Sequence, residues 1–170
     1  LRGFNRRLLT IGFKNLIIKN KELNKLINNN LNKKITYQDI GFNIGPLINS
    51  SGRIAKANDV VELFLTQNDD KIDKILNKMN AHNLIRKKIE QENLDLIDFK
   101  KYYSKNVIFI YNKKFHEGVI GILAAKLSKI FNKPSFIMTE SHDLLKCSIR
   151  SGNNIKINKT INKLIANKLI

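Results

Sequence analysis

Apolar residues between positions 70 and 98 recur at steps of three and four, and this spacing constrains the fold more than any other feature. Such a period places them along one side of an α-helix, with charged residues on the other sides. The pattern predicts one long helix over about 70–98, which we interpret as a structural connector between two lobes. Its apolar positions are Ile72, Ile75, Leu76, Met79, Ile85, Ile89, Leu96 and Ile97. His82 falls near this stripe, where we expect a hydrogen-bonded packing residue rather than a metal ligand.

Helical spacing also marks the first half of the chain. Residues 6–18 predict an amphipathic helix, and residues 21–31 predict a shorter, weaker one because asparagine is a poor helix former. Asn58 and Asp59 can cap a further helix that carries Val60, Val61, Phe64 and Leu65.

Between these helices the sequence predicts a break. Thr36, with Asp39 three places on, is typical of a helix N-cap and predicts a single turn. Gly41 and the pair Gly45-Pro46 then interrupt the turn. Residues 42–60 are therefore predicted to begin as a loop.

After residue 106 the hydrophobic period changes to that of strands. β-branched and aromatic runs predict buried strands, and a helical period separates the first two of them. The predicted elements are a strand at 107–111, a helix at 119–131, strands at 135–139 and 146–151, and a last helix from about 158. This order is typical of a small mixed α/β lobe. The predicted fold class is α/β, with a boundary between a helical lobe and this one near residues 100–106.

The composition limits the cellular setting. Cys147 is the only cysteine, which excludes an internal disulfide framework and a cysteine-cluster zinc site. No apolar run approaches the roughly 18 residues of a membrane span, so we expect a cytoplasmic protein without a membrane partner. The net charge is +17, but only six of the 31 basic residues are arginines. The rest are lysines among many asparagines and isoleucines, so the charge alone leaves open both a polyanion partner and a compositional bias.

Catalytic patterns are missing from the sequence. The histidines at 82, 116 and 142 have no metal-ligand spacing, and the acidic residues form no cluster typical of a metal-dependent nuclease. There is no phosphate-binding P-loop and no serine nucleophile motif. We expect no catalytic residue and no metal ligand in this chain, and no catalysis by the chain alone.

A first candidate binding feature precedes the predicted helix at 119–131. Gly118 stands at the helix N-terminus, where free N–H groups favour an anion, and His116 and Glu117 lie just before it. The alternative is that Glu117 and Gly118 only cap the helix.

A second candidate is the predicted strand at 146–151. Alternation along a strand places Lys146, Ser148 and Arg150 on one face and Cys147 and Ile149 on the other. A cation, a hydroxyl and a guanidinium in a row can cradle a terminal phosphate. The alternative is an exposed edge strand whose charges maintain solubility.

A third candidate is the pair Asn49 and Arg53. Only Ser50, Ser51 and Gly52 separate them, and such small side chains let a backbone or a ligand come close. Arg53 can then pair with a phosphate. The alternative is an ordinary loop in which Arg53 pairs with an acidic neighbour.

Several stretches together resemble one family. The motifs are, in order, "FNRRLLTIGFKNL", "GFNIGPLINSSGRI", "NAHNLIRKKIEQ", "FHEGVIGILAAKL" and "LKCSIRS". They resemble the signatures of the RecJ exonucleases, a family of the DHH phosphoesterase superfamily, and they cover nearly the whole chain. The second resembles Gly-Pro-Arg-(Ile/Leu)-Asn-Ala-Ala-Gly-Arg, and the last resembles Leu-Lys-Gly-Ser-Gly-Arg-Ser.

The resemblance implies a single-strand-specific 5′ to 3′ DNA exonuclease that acts in recombination and repair. It implies Mn or Mg ions held by an N-terminal DHH lobe, whose motifs are not in this sequence. We therefore expect an internal fragment of such an enzyme. Its expected regions are 1–56 as the end of the catalytic lobe, 57–104 as a helical connector and 105–170 as an incomplete DHH-associated substrate-binding lobe.

The resemblance also implies roles for individual residues. Asn49 and Arg53 are expected to face the nucleic acid, and the cleft is expected to be lined by His116, Glu117 and Gly118. The expected pocket for the 5′-phosphate comprises Ser148 and Arg150, and Lys146 and Ser151 are expected to bind substrate beside them. The expected partners are single-stranded DNA and recombination or single-strand-binding proteins, and the expected state is a monomer.

Four positions depart from the family pattern. Leu47 stands where the family has Arg, Phe115 where it has Trp, and Cys147 and Ile149 where it has Gly. Loss of a charge-assisted donor at position 47 is expected to weaken phosphate contact by about 1–3 kcal/mol. Ile149 is expected to hinder close approach to the strand backbone.

Two other functions stay open: a non-catalytic nucleic-acid-binding remnant, and a DHH phosphodiesterase of short oligonucleotides or cyclic dinucleotides.

Overall fold

The computed structural model describes residues 2–19, 21–29, 35–55, 57–152 and 155–168, without the side chains of residues 16–19. The chain divides into two compact units, Leu1–Ile85 and Arg86–Ile170, and each is considered by itself. This division falls within the long helix. The three regions expected from the resemblance remain a prediction.

The first unit is helical. Its elements are α1 (Phe4–Lys19), α2 (Lys21–Asn28), α3 (Tyr37–Asp39), a π-helical segment (Ile40–Ile44), α4 (Gly45–Ile54), α5 (Asn58–Leu65) and the first part of α6 (Asp69–Asp95). The end of the helix predicted at 21–31 lies partly outside the described residues. The core of this unit contains Leu23, Leu26, Ile27, Ile44, Leu47, Leu63, Ile72, Ile75, Leu76 and Met79.

The predicted Thr36 cap is present, but the predicted break after it is wrong. The Thr36 hydroxyl accepts the Asp39 N–H, and the Asp39 carboxylate accepts the Thr36 N–H at 3.0 Å. Helical backbone then continues through residue 54. Gly45 permits the wider π turn, since a Cβ there would lie 3.0 Å from the Ile40 carbonyl oxygen. Pro46 lies in the first turn of α4, where its fixed φ is helical and its missing N–H is tolerated.

The helix predicted after Asn58-Asp59 is α5, but neither residue caps it. Ala57 occupies the N-cap position without a side-chain hydrogen bond. Asp59 instead pairs with Lys78 on α6 at 2.8 Å. The Asp59 carboxylate therefore ties α5 to α6.

The predicted long helix is confirmed as α6, followed by a 3₁₀ turn at Phe99–Tyr102. The predicted apolar positions up to Met79 are buried. Beyond residue 85 the polar Arg86 and Asn93 are buried together with Leu94 and Ile97, whereas Ile85 and Leu96 are half exposed. Apolar spacing does not identify Arg86 and Asn93, because both side chains are polar.

The second unit confirms the predicted α/β class. Its elements after α6 are β1 (Ile108–Tyr111), α7 (Ile120–Phe131), β2 (Ser135–Ser141), β3 (Leu144–Arg150) and α8 (Ile157–Ala166). The sheet order is β1-β2-β3, with β1 parallel to β2 and β2 antiparallel to β3. His142 and Asp143 have φ values of 50° and 61°, which allow a two-residue hairpin turn between β2 and β3.

One face of this sheet packs against α7. The buried cluster there comprises Leu94, Ile97, Ile108, Ile110, Phe115, Val119, Ile120, Leu123, Ala124, Leu127, Phe131 and Ile137. No helix in the described part of the chain is both long enough and apolar enough to cross a bilayer.

The chain after β3 closes tightly on the end of α7. The Ser128 hydroxyl donates to the Ser151 carbonyl oxygen at 2.7 Å. Gly152 is buried, and a Cβ at this position would lie 2.7 Å from the Asn132 carbonyl oxygen and 2.9 Å from the Lys133 nitrogen. Glycine is required here by the close approach of two backbones.

Gly152→Ala is expected to destabilise the protein by about 1–3 kcal/mol, because the methyl group forces one backbone segment away from the other. Urea unfolding followed by circular dichroism measures the change. The matched control is Gly12→Ala within α1, where a Cβ meets nothing within 4 Å. We expect the control to be neutral or stabilising by about 0.5–1 kcal/mol, and equal midpoints for the two variants would contradict the close approach.

Candidate nucleic-acid interface

The residues predicted to bind nucleic acid fall into two sets, one in each unit. Asn49 and Arg53 lie on α4 of the first unit. His116 to Gly118 and Lys146 to Ser151 lie in the second unit, around α7 and β3. Their assignment as a binding site stays a prediction.

The turn before α7 is fixed from both sides. The buried Asn93 on α6 donates from Nδ2 to the Ile89 carbonyl oxygen at 2.6 Å, and its Oδ1 accepts the His116 N–H at 3.3 Å. The buried Thr139 on β2 donates from Oγ1 to the Phe115 carbonyl oxygen at 2.7 Å. Helix α6 and strand β2 thus hold consecutive residues of this turn.

Asn93 and Thr139 are functional candidates that sequence analysis missed. Each is a polar residue within an element whose inward positions are otherwise apolar, and each is buried. A polar residue in such a position needs a hydrogen-bond partner. This requirement could have drawn attention to both residues, but the partner is visible only in the fold.

The N–H group of Gly118, which the sequence predicts to be available to an anion, instead forms a hydrogen bond with the His116 side chain. The Gly118 N–H donates to Nδ1 of His116 at 3.1 Å. Because a backbone N–H can only donate, Nδ1 is an acceptor and the proton of the neutral ring resides on Nε2. His116 can therefore offer one neutral donor at Nε2. The suggested capping role of Glu117 and Gly118 is wrong, since Val119 is the N-cap of α7 and makes no side-chain cap hydrogen bond.

Glu117 connects this turn to both strands of the hairpin. Its Oε2 accepts from the Ser141 hydroxyl at 2.5 Å and from Lys146 Nζ at 2.8 Å. The Lys146 hydrogen bond, followed by that from Ser141 and the charge of Lys146, lowers the pKa of Glu117 to about 2. The carboxylate is therefore ionised at any pH at which nucleic acid binds, and Lys146 has an internal counter-ion.

The alternation predicted for β3 is confirmed. A Cβ built on Gly121 of α7 would lie 3.3 Å from the Ser148 hydroxyl, so the face that carries Ser148 is the one towards α7. Lys146 and Arg150 share that face. Their Cα atoms are about 13 Å apart at the usual strand rise of about 3.3 Å per residue. Both long side chains must therefore reach towards Ser148 to hold one phosphate.

The two residues that replace family glycines lie on the other face of β3. Cys147 pairs in register with Met138, and Ile149 pairs with Phe136. The expected hindrance by Ile149 does not apply to the face of Ser148, because alternate strand residues point away from each other. Partial burial raises the pKa of the Cys147 thiol.

The motif "NAHNLIRKKIEQ" has a packing role in the second unit. Arg86 is buried and its Nη1 lies 2.7 Å from Oε2 of Glu90. Lys126 of α7 reaches Oε1 of the same carboxylate at 2.9 Å. Glu90 therefore connects α6 to α7 through Lys126, and it pairs with Arg86 of its own helix, so Arg86 is held by a carboxylate rather than offered to a ligand.

In the first unit, Asn49 and Arg53 are exposed one helical turn apart on α4. Of the residues between them, Ser50 and Ser51 are fully buried and let another backbone come close rather than a ligand, whereas Gly52 is exposed. The Ser50 hydroxyl donates to the Leu47 carbonyl oxygen at 2.6 Å, and the Ser51 hydroxyl lies 3.1 Å from Nδ1 of His82. The small side chains instead let α4 pack closely on α6, and His82 has the expected hydrogen-bonded role.

Leu47 is part of the core of the first unit. Only 1% of its surface is exposed, and it packs in the cluster with Leu26, Ile44 and Leu63. The idea that this position has lost a phosphate contact is therefore not supported by its location. In this chain, position 47 supplies apolar packing.

No family model matches the chain. RecJ of Escherichia coli, a single-stranded-DNA-specific exonuclease, is 30% identical over 141 residues, which are 78% of this chain and 24% of that protein. RecJ of Bacillus subtilis is 26% identical over 157 residues, 86% of this chain and 20% of that protein. The chain thus spans about a quarter of the length of its curated relatives.

Solved structures show the same fold. The crystal structure of RecJ from Thermus thermophilus in complex with Mg²⁺ aligns with a TM-score of 0.79 at 21% identity. The alignment covers 94% of this chain and 25% of that one. A structure of exonuclease RecJ bound to manganese aligns with a TM-score of 0.72, covering 40% of that chain. Among the described residues here, no group of three or more His, Cys, Asp or Glu could hold a metal ion.

Leu47→Arg is expected to unfold the first unit, because a buried guanidinium without a prepared partner costs several kcal/mol. Thermal unfolding followed by circular dichroism measures the loss. Leu47→Met keeps the volume and is expected to cost less than about 1.5 kcal/mol. A folded Leu47→Arg variant that binds single-stranded DNA more tightly would show that position 47 does face the ligand.

Lys146→Ala is expected to raise the pKa of Glu117 towards its ordinary value, because the strongest stabilising partner of the carboxylate is removed. The ion pair of Glu117 with Lys146 stabilises the folded state at a pH above the ordinary pKa of a glutamate carboxyl group. This stabilisation is lost as the pH falls towards about 2, the pKa of Glu117 in the folded protein. Carboxyl ¹³C NMR titration of both proteins measures the pKa directly. An unchanged pKa in the variant would exclude the Lys146 contact in solution.

Proposed function

The chain is related by sequence and fold to RecJ, and on this premise we propose that the whole protein is a single-strand-specific 5′ to 3′ DNA exonuclease. Such an activity serves DNA recombination and repair. The support is the match to a quarter of the RecJ length together with the shared fold. Fold alone would not carry a function, since one fold hosts many activities.

Within that protein we assign this chain the task of holding the DNA strand. Ser148 and Arg150 would bind the terminal 5′-phosphate, with Lys146 and Ser151 beside them. The observation that supports the assignment is that Ser148 of β3 lies against Gly121 of α7. The turn at residues 115–118, which precedes α7, is fixed by two buried hydrogen bonds. Preorganised donors bind an anion without the cost of ordering them.

His116 contributes differently from the cations. With Nδ1 occupied by Gly118, it would donate one neutral hydrogen bond from Nε2 to the strand. Asn49 and Arg53 are proposed to contact the phosphate backbone from the first unit. Contacts of this kind position the strand without reading its sequence, which suits an exonuclease.

We propose Mg²⁺ or Mn²⁺ as the cofactor of the whole protein, in line with the RecJ structures that contain these ions. When bound, such an ion activates the water that cleaves a phosphodiester. The described residues of this chain do not offer a ligand group for it. No step of bond cleavage is therefore assigned to this chain, and it is proposed to be inactive alone.

The further partners are proposals of the same kind. We propose that the whole protein acts as a cytoplasmic monomer on single-stranded DNA, with recombination or single-strand-binding proteins as partners. The excess of positive charge, +17, favours association with such polyanionic substrates.

The phosphate role is tested by fluorescence-anisotropy titration of the chain with single-stranded DNA that bears a 5′-phosphate or a 5′-hydroxyl. We expect tighter binding of the phosphorylated strand. Arg150→Ala is expected to remove most of this preference, by about 5- to 150-fold, because a charge-assisted hydrogen bond contributes about 1–3 kcal/mol.

Lys113→Ala is the matched control, since Lys113 is an exposed cation of the same unit outside the proposed pocket. This variant should weaken the binding of the phosphorylated strand and of the hydroxyl strand equally. If Arg150→Ala keeps the preference, or if 200 mM salt removes all binding, bulk lysine charge and not the pocket holds the strand. Cleavage assays of the full-length protein with Mn²⁺ distinguish the two other functions. Digestion of short oligonucleotides alone would indicate a phosphodiesterase. No cleavage at all would indicate a non-catalytic binding protein.

A further inference from the structure

Among the residues that the structure describes, Lys146 is a cation of the proposed phosphate pocket that already has a carboxylate counter-ion from the protein. Its Nζ lies 2.8 Å from Oε2 of Glu117, and the same oxygen accepts from the Ser141 hydroxyl. The side chains of Glu117 and Lys146 are 39% and 54% exposed. The pair is therefore open to solvent and to a ligand, and it can exchange partners without unfolding.

A carboxylate oxygen and a phosphate oxygen are acceptors of the same kind for an ammonium group. A phosphate that approaches Lys146 also approaches the negative Glu117. It must either displace the carboxylate or accept the repulsion of a like charge at close range. A phosphodiester carries one negative charge, whereas a terminal phosphate carries nearly two at neutral pH. The terminal phosphate therefore competes for Lys146 more strongly than an internal one.

We propose that Glu117 is a specificity residue that occupies Lys146 until a terminal phosphate displaces it. This inference rests on the proposed function, because it concerns the same pocket. In the free protein the carboxylate keeps Lys146 from binding the internal phosphates of a passing strand. Ser141 holds the displaced carboxylate by its remaining hydrogen bond, so Glu117 returns to Lys146 when the strand end leaves.

The test is Glu117→Gln, measured by anisotropy with the same phosphorylated and hydroxyl strands. Removal of the charge is expected to tighten binding of both strands, and the hydroxyl strand more, by about three- to tenfold. The preference for the 5′-phosphate then shrinks. For the hydroxyl strand, the slope of log K against log salt is expected to steepen by about 0.7, the value for one added phosphate contact to a single strand.

Two matched variants make the result specific. Glu140→Gln removes one negative charge from the neighbouring position on β2, where the carboxylate accepts from the Tyr111 hydroxyl. It should leave the preference unchanged. In a Lys146→Ala background, Glu117→Gln should have no further effect, because the cation over which the two anions compete is gone.

Several outcomes would overturn the inference. Weaker binding after Glu117→Gln would mean that the carboxylate positions Lys146 for the ligand. An effect that persists in the Lys146→Ala background would mean a long-range charge effect. If the wild type prefers the phosphorylated strand and Glu117→Gln leaves the ratio unchanged, the inference alone fails. If the wild type shows no preference, the proposed phosphate pocket fails with it.

A second readout does not depend on the variant. Titration of the wild-type protein at neutral pH with a 5′-phosphorylated dinucleotide should change the carboxyl ¹³C shift of Glu117, since the carboxylate loses Lys146. The 5′-hydroxyl dinucleotide should leave this shift unchanged. An equal response to the two ligands, or no response to either, would contradict displacement.

Discussion

The arrangement of the second unit depends on how the turn at residues 115–118 is held. Asn93 fixes the His116 N–H from α6, and Thr139 fixes the Phe115 carbonyl from β2. Both side chains are buried, so an unmade hydrogen bond there would cost about 1–3 kcal/mol. Once the turn is fixed, Gly118 can donate to His116, and Glu117 can reach the hairpin of β2 and β3. The proposed pocket thus depends on two buried polar contacts.

The first unit uses buried polar residues for a different purpose. The Ser50 hydroxyl donates to the Leu47 carbonyl oxygen of its own helix and lies 3.4 Å from the Met79 carbonyl oxygen of α6, and the Ser51 hydroxyl contacts His82 of α6. Their small volume brings two helices together, while Asn49 and Arg53 remain on the outer side of α4. The same short stretch therefore serves packing on one side and offers a polar pair on the other. Leu47 belongs to the packing side.

The sequence predicts elements well where one periodicity dominates. Helix α6, the order of strands and helices in the second unit, and the alternation of Lys146 and Ser148 along β3 all follow from spacing. The prediction failed at residues 42–54, because glycine and proline were read as breakers although a π turn and a first helical turn accommodate them. Contacts that depend on the fold, such as Glu117 with Lys146, cannot be read from spacing, since the partners are 29 residues apart.

The central claim is that the β3 face beside α7 binds the 5′ end of a single strand. Backbone amide NMR shifts, followed while the chain is titrated with a 5′-phosphorylated and a 5′-hydroxyl oligonucleotide, test it most directly. The account predicts shifts at His116 to Gly118, at Gly121 and at Lys146 to Ser151 that are much larger with the phosphorylated strand. Equal shifts with both strands, spread over the lysines of α1 and α8, would contradict it.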